Sequence, residues 1–567
     1  MQKTLKEEVM RRIESAIIIM FLLLVSCGPG QDAGKSAENS TGDKDEISGT
    51  SGMVSSAHPI ATEAGLSILR AGGNAFDAAV AIASTLNVVE PMMSGMGGYG
   101  TIMVYDAVSE TPLYLDASGK IPIGVNPDAY RPPTPEYRKN RVGAKAVSTP
   151  GAVHAWEAMH ERYGTMSWND VLQPAIEAAD KGYLLDERIA QFIKMAFKGF
   201  SDYSQQIYGK DGQPLQTGER LIQKDLADTL RVISEEGASA IYGGSLGQAI
   251  DDAMKSAGGF LAMEDLENHA AEWWKPLHLE YRGYDVFTPS APAGAFPMLM
   301  RLGMMDILKS REMGHNSLEY LHHFAEVTKL AYWHRLAYSG DPDVMAPPYD
   351  KLLTKSYWKS LVDKIDPAKA KDFDYSGIVT ANSENTTHFV VADRKGNVVS
   401  AQVTLGGLFG SKIMPEGTGF WLNNSLSYCT FEPKGNPMDA HPGRRKLSSD
   451  SPSIIFKDGK PVIAIGTPGG HTITQTIAQM IMNLLDFEMS ITEAISAPRI
   501  AFIEPNALAV EETIPKSIRQ ELASMGHKIR VHNLGNAHGL AIEYLKDGSV
   551  RFTGAADPRG SGLAKGY

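Results

Sequence analysis

The apolar positions of this chain change period along its length. In "ATEAGLSILRAGGNAFDAAVAIASTLNVVEP" they recur at helical spacing, are interrupted by Gly72-Gly73 and stop at Pro91, which predicts two helices. "SGMGGYGTIMVYD" turns through glycines into a strand, and "TPLYLDASG" reads as its partner. From about Thr149 to Ala270 the pattern is mostly helical. "EWWKPLHLEYRGYDVFTP" alternates and is aromatic, hence strand-like, and "SLEYLHHFAEVTKLAYWHRLAY" is a long helix. Residues 370–384 are polar and predict an exposed loop. Beyond them "TTHFVVADRKGNVVSAQVTL" and "SPSIIFKDGKPVIAIGTPGG" read as hairpins, the second turning at Asp458-Gly459, and "HTITQTIAQMIMNLLDF" as a buried helix. Helices flanking hairpins predict packed layers of helix and antiparallel sheet. No internal repeat interrupts this plan.

With 567 residues, 43% of them apolar, the chain can bury a large core. A net charge of −12 without clustered Lys/Arg runs argues against nucleic-acid binding. Two cysteines give no disulfide framework. The start is basic (Lys3, Lys6, Arg11, Arg12) and leads into "AIIIMFLLLVSC". That run suits a signal peptide better than a membrane span, which needs roughly 20 apolar residues. Its end, "LVSC", resembles the bacterial lipobox, whose cysteine, here Cys27, is lipidated. Residues 28–52 are rich in Gly, Ser and charge and read as a flexible tether. The expectation is an exported bacterial lipoprotein, periplasmic or on the cell surface.

The hairpin after residue 384 poses a chemical question. Its turn centres near Lys395, so Thr386 and Thr404 are equidistant from it and should face each other, with Cα atoms about 4.5–5.5 Å apart. Two hydroxyls at the open end of a hairpin can be plain cross-strand pairing. They can also be an N-terminal nucleophile and its partner. A cut before Thr386 frees an α-amine with an unperturbed pKa of about 7.7–8.0, able to act as base for the Thr386 hydroxyl. "GTPGGH", Gly466 to His471, places two glycines between a strand and a helix, where backbone N–H groups can hold an oxyanion.

"NTTHFVVAD", "GGNAFDAAVA", "VVEPMMSGMGGYG", "VSTPGAV", "YRGYDV", "LNNS", "KLSSDSPSI", "GTPGGH", "APRI" and the terminal "DPRGSGLAKGY" together resemble the γ-glutamyltranspeptidase family, in family order from about Met53 to Tyr567. The resemblance implies an α+β chain with the four-layer αββα N-terminal nucleophile hydrolase sandwich. It implies one proenzyme that cuts itself between Asn385 and Thr386, giving a large subunit (53–385 of the folded chain) and a small one (386–567) that stay together as a heterodimer. The implied reaction is hydrolysis of γ-glutamyl amides such as glutathione, or acyl transfer to an amino acid or peptide, with no metal or cofactor. Thr386 resembles the nucleophile and Thr404 the threonine that activates it. Gly469 and Gly470 resemble the oxyanion glycines, and Ser448 and Ser449 the pair that binds the substrate carboxylate. Asn424 and Ser425 fall in the substrate-binding Asn-Asn segment.

Departures cluster where glutamate is recognised. The family's carboxylate-clamping arginine aligns with Ser118 in "LDASGKIP", with Lys120 as the nearest cation, and lysine does not replace a bidentate guanidinium. Gly406 stands where the family uses an asparagine. "NNSLSYC" carries Ser425 and Tyr428 where it uses a polar and an acidic residue, so an α-ammonium loses its carboxylate partner. An acylase or amidase with a non-glutamyl acyl group is therefore the alternative. A non-catalytic surface lipoprotein is the reading from another class. "GMGGYG" follows a helix and precedes a strand, the reverse of a dinucleotide loop, and predicts a tight turn. Cys429 reads as a buried thiol, and the histidines show no spacing with carboxylates that suggests a metal site.

Overall fold

The computed structural model describes residues 47–373 and 385–567. The signal-peptide stretch 1–27 with Cys27, most of the tether, and most of the polar 370–384 segment lie outside the described residues. Two seven-stranded sheets form the frame. The first runs, in spatial order, Leu563–Gly566, Gly52–Ser56, Thr387–Asp393, Val398–Thr404, Tyr99–Asp106, Thr111–Asp116, Glu272–Trp274. The second runs Ile47–Gly49, Val550–Ala556, His538–Tyr544, Lys460–Gly466, Ser453–Lys457, Tyr284–Thr288, Leu277–Tyr281.

Side-chain period builds the layers. In Thr387–Asp393, Phe389 and Val391 join helices Pro59–Arg70 and Ala75–Val89 in one core, while Val390 and Ala392 join Met103, Ile454, Leu540 and Phe552 in another between the sheets. On the far side of the second sheet, Val286, Ile455 and Ile465 pack with helices Phe296–Ile307, Leu318–Tyr338 and Ile473–Leu485. The result is the αββα sandwich. Segments on both sides of the Asn385–Thr386 bond contribute strands to both sheets, so cutting that bond leaves two fragments joined by two hydrogen-bonded sheets.

Two elements differ from the sequence reading. The strand Ile47–Gly49 pairs with Val550–Ala556, and the Thr50 and Ser51 N–H groups donate to the Tyr567 carbonyl (3.0 and 2.8 Å). Part of the 28–52 stretch read as tether is thus paired into a sheet, because backbone pairing at a sheet edge needs no apolar side chains. The single alternating stretch "EWWKPLHLEYRGYDVFTP" is three strands divided between the two sheets.

The nucleophile hairpin is pinned at both ends to one helix. At the turn, the Asp393 carboxylate accepts from the Ala75 N–H (2.9 Å) and from Lys395 and Asn397, so one side chain orders the turn and the helix start. At the other end, the Thr387 hydroxyl donates to Glu90, the residue that ends the helix (2.7 Å). Fifteen residues of helix span about 22 Å and seven of strand about 23 Å, so the two rods match in length. Thr386 is therefore held by a rigid pair rather than by a loop. The glycine-rich turn serves close approach: a Cβ at Gly98 would sit 2.4 Å from the Thr404 carbonyl, and one at Gly97 2.2 Å from that of Trp421.

Candidate active site

The register Thr387↔Val403 and His388↔Gln402 continues to Thr386 opposite Thr404. Their hydroxyl oxygens are 3.2 Å apart. The Thr404 hydroxyl accepts the Gly406 N–H (2.8 Å) and donates to the Asn385 carbonyl (3.2 Å). The Thr386 hydroxyl also reaches the Asn385 carbonyl. In the uncut chain the Thr386 oxygen thus lies against the peptide group just before it, and Thr404 polarises that carbonyl from the neighbouring strand. Thr386 is 8% exposed, which keeps bulk water from levelling these interactions.

Gly469 (φ 138°) and Gly470 (φ 58°) form the turn into helix Ile473–Leu485. The Thr472 N–H and hydroxyl both donate to the Gly469 carbonyl (3.1 and 2.8 Å). Because the peptide is trans, the Gly470 N–H points the opposite way. Gly470 lines one cavity beside Thr386 and Gly469 lines another, so the glycine turn separates the two.

The first cavity is lined by Thr386, Thr404, Gly406, Tyr428, Lys446, Ser448, Ser449 and Arg335 among others. The Ser448 hydroxyl accepts the Asp450 N–H (3.0 Å), and the Ser449 hydroxyl accepts from Arg335 Nη2 (2.9 Å). Burial pushes the Lys446 ammonium down to about 8 and the Asp450 carboxyl up to about 6. Lys446 Nζ sits over the rings of Tyr99 and Tyr428, 4.9 and 5.2 Å from their centroids. Two sequence departures meet here. A Cβ at Gly406, whose φ is +92°, would lie 2.4 Å from Asn424 Oδ1 and 2.9 Å from Tyr428 Cε2, so Asn424 and the tyrosine ring together leave room only for glycine. The second cavity is lined by Arg188, Phe192, Pro468, Gly469, Thr472 and the 532–536 segment among others.

Thr386, Thr404, Ser448, Ser449 and Gly470 thus converge. Asn424 lies beside the cavity, its Oδ1 accepting the Gly407 N–H (2.6 Å). Ser425 is not brought to it: its hydroxyl donates to Ser148 (2.5 Å) in the core. Ser118 is tied by its N–H to Asp116 (2.9 Å) and Lys120 pairs with Glu272 (3.8 Å), and neither lines the cavity. Cys429 is buried, its thiol pushed up to about 12 by burial. Arg335, Lys446, Asp450 and Tyr99 escaped the sequence reading. One grouping contradicts it: His322, Glu326 and His527, all buried, place ligand-type atoms within 4.8 Å of one another. His322 bonds His527 (2.9 Å) and the Asp366 carbonyl (2.8 Å), and Lys329 pairs with Glu326 (2.5 Å), so each of these groups already has a protein partner. His322 and Glu326 are one helical turn apart, the signal that was available; His527 arrives from 205 residues further on.

A family model described as gamma-glutamyltranspeptidase matches residues 61–567. The chain is 34% identical over 549 residues to the glutathione hydrolase proenzyme of Bacillus subtilis (strain 168), covering 91% of this chain and 92% of that one. It is 36% identical over 542 residues to the acylase ACY 1 proenzyme of Pseudomonas sp. (strain V22), covering 92% and 94%. Its structure is similar to that of cephalosporin acylase from Bacillus halodurans, with a TM-score of 0.83, 27% identity and coverage of 96% and 99%.

Proposed function

The chain belongs to the γ-glutamyltranspeptidase family and is an enzyme of that type, and from that premise we propose that it cuts itself before Thr386 and then uses Thr386 as the nucleophile of an amide hydrolase or acyltransferase. The observation that carries this reading is the Thr386–Thr404–Asn385 relay, with hydroxyl oxygens 3.2 Å apart and Thr404 3.2 Å from the carbonyl. In the first reaction the Thr386 hydroxyl attacks the Asn385 carbonyl carbon, the C–N bond breaks, and an ester joins Asn385 to Thr386 Oγ. Water hydrolyses the ester, leaving an Asn385 carboxylate and a free Thr386 amine. In turnover that amine takes the hydroxyl proton, the oxygen attacks a substrate amide, and backbone N–H groups of the Gly469–Gly470 turn receive the oxyanion. The proton passes to the leaving amine, and water or an acceptor amine then breaks the acyl ester. The acyl half occupies the cavity with Ser448 and Ser449, and the amine half the one beside Gly469.

Relatives named for glutathione hydrolysis and for acylase activity leave two readings of the acyl group. Tyr428 favours the acylase reading. Its ring fills the space over Gly406, and the one carboxylate lining the cavity, Asp450, is beside Lys446, whose charge opposes a substrate α-ammonium. The expected result is a purified protein in two fragments of about 40 and 20 kDa, the smaller beginning at Thr386, that releases p-nitroaniline faster from glutaryl-p-nitroanilide than from γ-glutamyl-p-nitroanilide. The two donors differ only in the α-amino group. An uncut protein refutes the self-processing scheme, and faster γ-glutamyl turnover restores the glutathione hydrolase reading.

The proposal extends to export and lipid anchoring at Cys27. Among the described residues no helix is long and apolar enough to cross a membrane. Cys27→Ser is expected to move the protein from the membrane pellet to the soluble fraction of bacterial cells. An unchanged distribution removes the lipobox reading.

A further inference from the structure

Away from the two cavities at Thr386, helix Leu318–Tyr338 carries a second group of chemistry-bearing side chains. His322 and Glu326 stand one turn apart on it, about 13–20 Å along the helix from the Arg335 that lines the acyl cavity. His527, in the turn before strand Ile529–Val531, meets them. All three are buried, and one ligand-type atom of each lies within 4.8 Å of the other two.

Their hydrogen bonds set which atoms face inward. His322 Nε2 lies 2.8 Å from the Asp366 carbonyl, a group that only accepts, so the ring proton sits on Nε2. The bare Nδ1 then faces His527 Nε2, 2.9 Å away. A ring N–H anchored on a backbone carbonyl, with the other nitrogen turned to further ligand-type groups, is how metal-binding histidines are oriented. Burial pushes both rings down, His527 to about 3, toward the neutral form that ligates. Glu326 Oε2 accepts the Lys371 N–H (3.3 Å). Its Oε1 is buried and receives no hydrogen bond among the described residues. The Lys329 ammonium stands beside it at 2.5 Å but donates to the Lys371 carbonyl. Lys329 lines two small cavities, one reached by His527 and the other by Glu326, so its flexible stem has room to leave.

We propose that His322, Glu326 and His527 form a divalent transition-metal site suited to zinc, and that the Lys329 ammonium holds the place of the metal in the apo protein. Two imidazoles and a carboxylate match zinc, whereas calcium and magnesium take oxygen ligands. Zinc bonds of about 2.0–2.1 Å set tetrahedral ligands about 3.3 Å apart, so the imidazole nitrogens open by about 0.4 Å and the carboxylate oxygen closes by at most about 1.5 Å. On binding, His527 moves its proton from Nε2 to Nδ1, Lys329 swings out still charged, and a water takes the fourth position. His322 and Glu326 precede the Asn385–Thr386 bond and His527 follows it, so the metal ties the two fragments together. That tie rests on the cut proposed before Thr386; the binding of zinc does not.

The test is equilibrium dialysis of EDTA-stripped, processed protein against zinc chloride, read by metal analysis, with Co2+ as a spectroscopic probe. Wild type is expected to retain about one zinc per heterodimer and to show the visible absorption of tetrahedral Co2+. Its melting temperature rises by about 2 °C or more with zinc at about 100 times the dissociation constant. His527→Gln and Glu326→Gln each weaken zinc binding about 100-fold or more and lose the cobalt spectrum. Lys329→Met removes the competing charge and tightens binding about 10-fold, a gain that misfolding does not produce. A wild type that retains no zinc, or glutamine variants that bind it as wild type does, overturn the site. Unchanged affinity in Lys329→Met overturns the placeholder role. Thr386→Ala, which stays one chain, is expected to bind zinc as wild type does, so failure of self-cleavage and failure of the site are read separately.

Discussion

Thr386→Ala yields one uncut chain on a denaturing gel and lowers amide turnover by about 10⁴-fold or more. The size of the effect follows from one oxygen serving two reactions. Thr386 Oγ is the group against the Asn385 carbonyl, so without it the peptide bond has no attacking atom and the α-amine is never freed. The uncut chain also keeps Asn385 where both cavities meet, so substrate is excluded as well. Thr386→Ser separates hydroxyl chemistry from folding: it keeps the oxygen, loses a methyl group, and is expected to process slowly but to completion. Thr386 stands at the end of a strand pinned through Asp393 and Glu90, so neither change should reach the sheet core, and circular dichroism should match wild type. Two fragments from the alanine variant would move the nucleophile elsewhere.

What was legible in the sequence was local. The hairpin turn "DRKGN" and the seven-residue strands on either side of it fix a register, and that register alone opposes Thr386 to Thr404. The Asp458-Gly459 turn is equally local, with both residues at positive φ (52° and 77°). The recognition cavity was not legible, because its parts meet only in the folded sandwich. Arg335 lies on a helix buried on nearly every side, so its polar neighbours mark no face, and its partner Ser449 is 114 residues away. Gly406 and Tyr428 each appeared as a loss, of an asparagine and of an acid. Only the fold brings them together, the Tyr428 ring lying 2.9 Å from where a Cβ at Gly406 would stand. Family motifs are therefore legible along the chain, while the fit of the residues around the acyl cavity depends on how they pack across layers. The motif residues sit on paired strands and a glycine turn, and the selective ones on surfaces that pack across layers.

Thr404→Val is expected to slow self-cleavage by about 10²- to 10³-fold, followed as the half-time for appearance of the small fragment in freshly purified protein. Valine keeps the shape and the strand preference of threonine and removes only the hydroxyl, so the change tests chemistry rather than packing. In the uncut chain that hydroxyl is held by the Gly406 N–H at 2.8 Å and lies 3.2 Å from both the Thr386 hydroxyl and the Asn385 carbonyl. It thus polarises the carbonyl that is attacked and fixes the attacking oxygen. Both contributions vanish in valine, and the Gly406 N–H loses its acceptor as well. The nucleophile itself remains, so cleavage slows without stopping, which distinguishes this variant from Thr386→Ala. Once cut, the valine protein should still turn over donors at a reduced kcat, because the freed amine, absent during self-cleavage, now supplies a base. A wild-type cleavage rate in Thr404→Val would reduce the threonine pair to cross-strand packing and leave activation of Thr386 to another group.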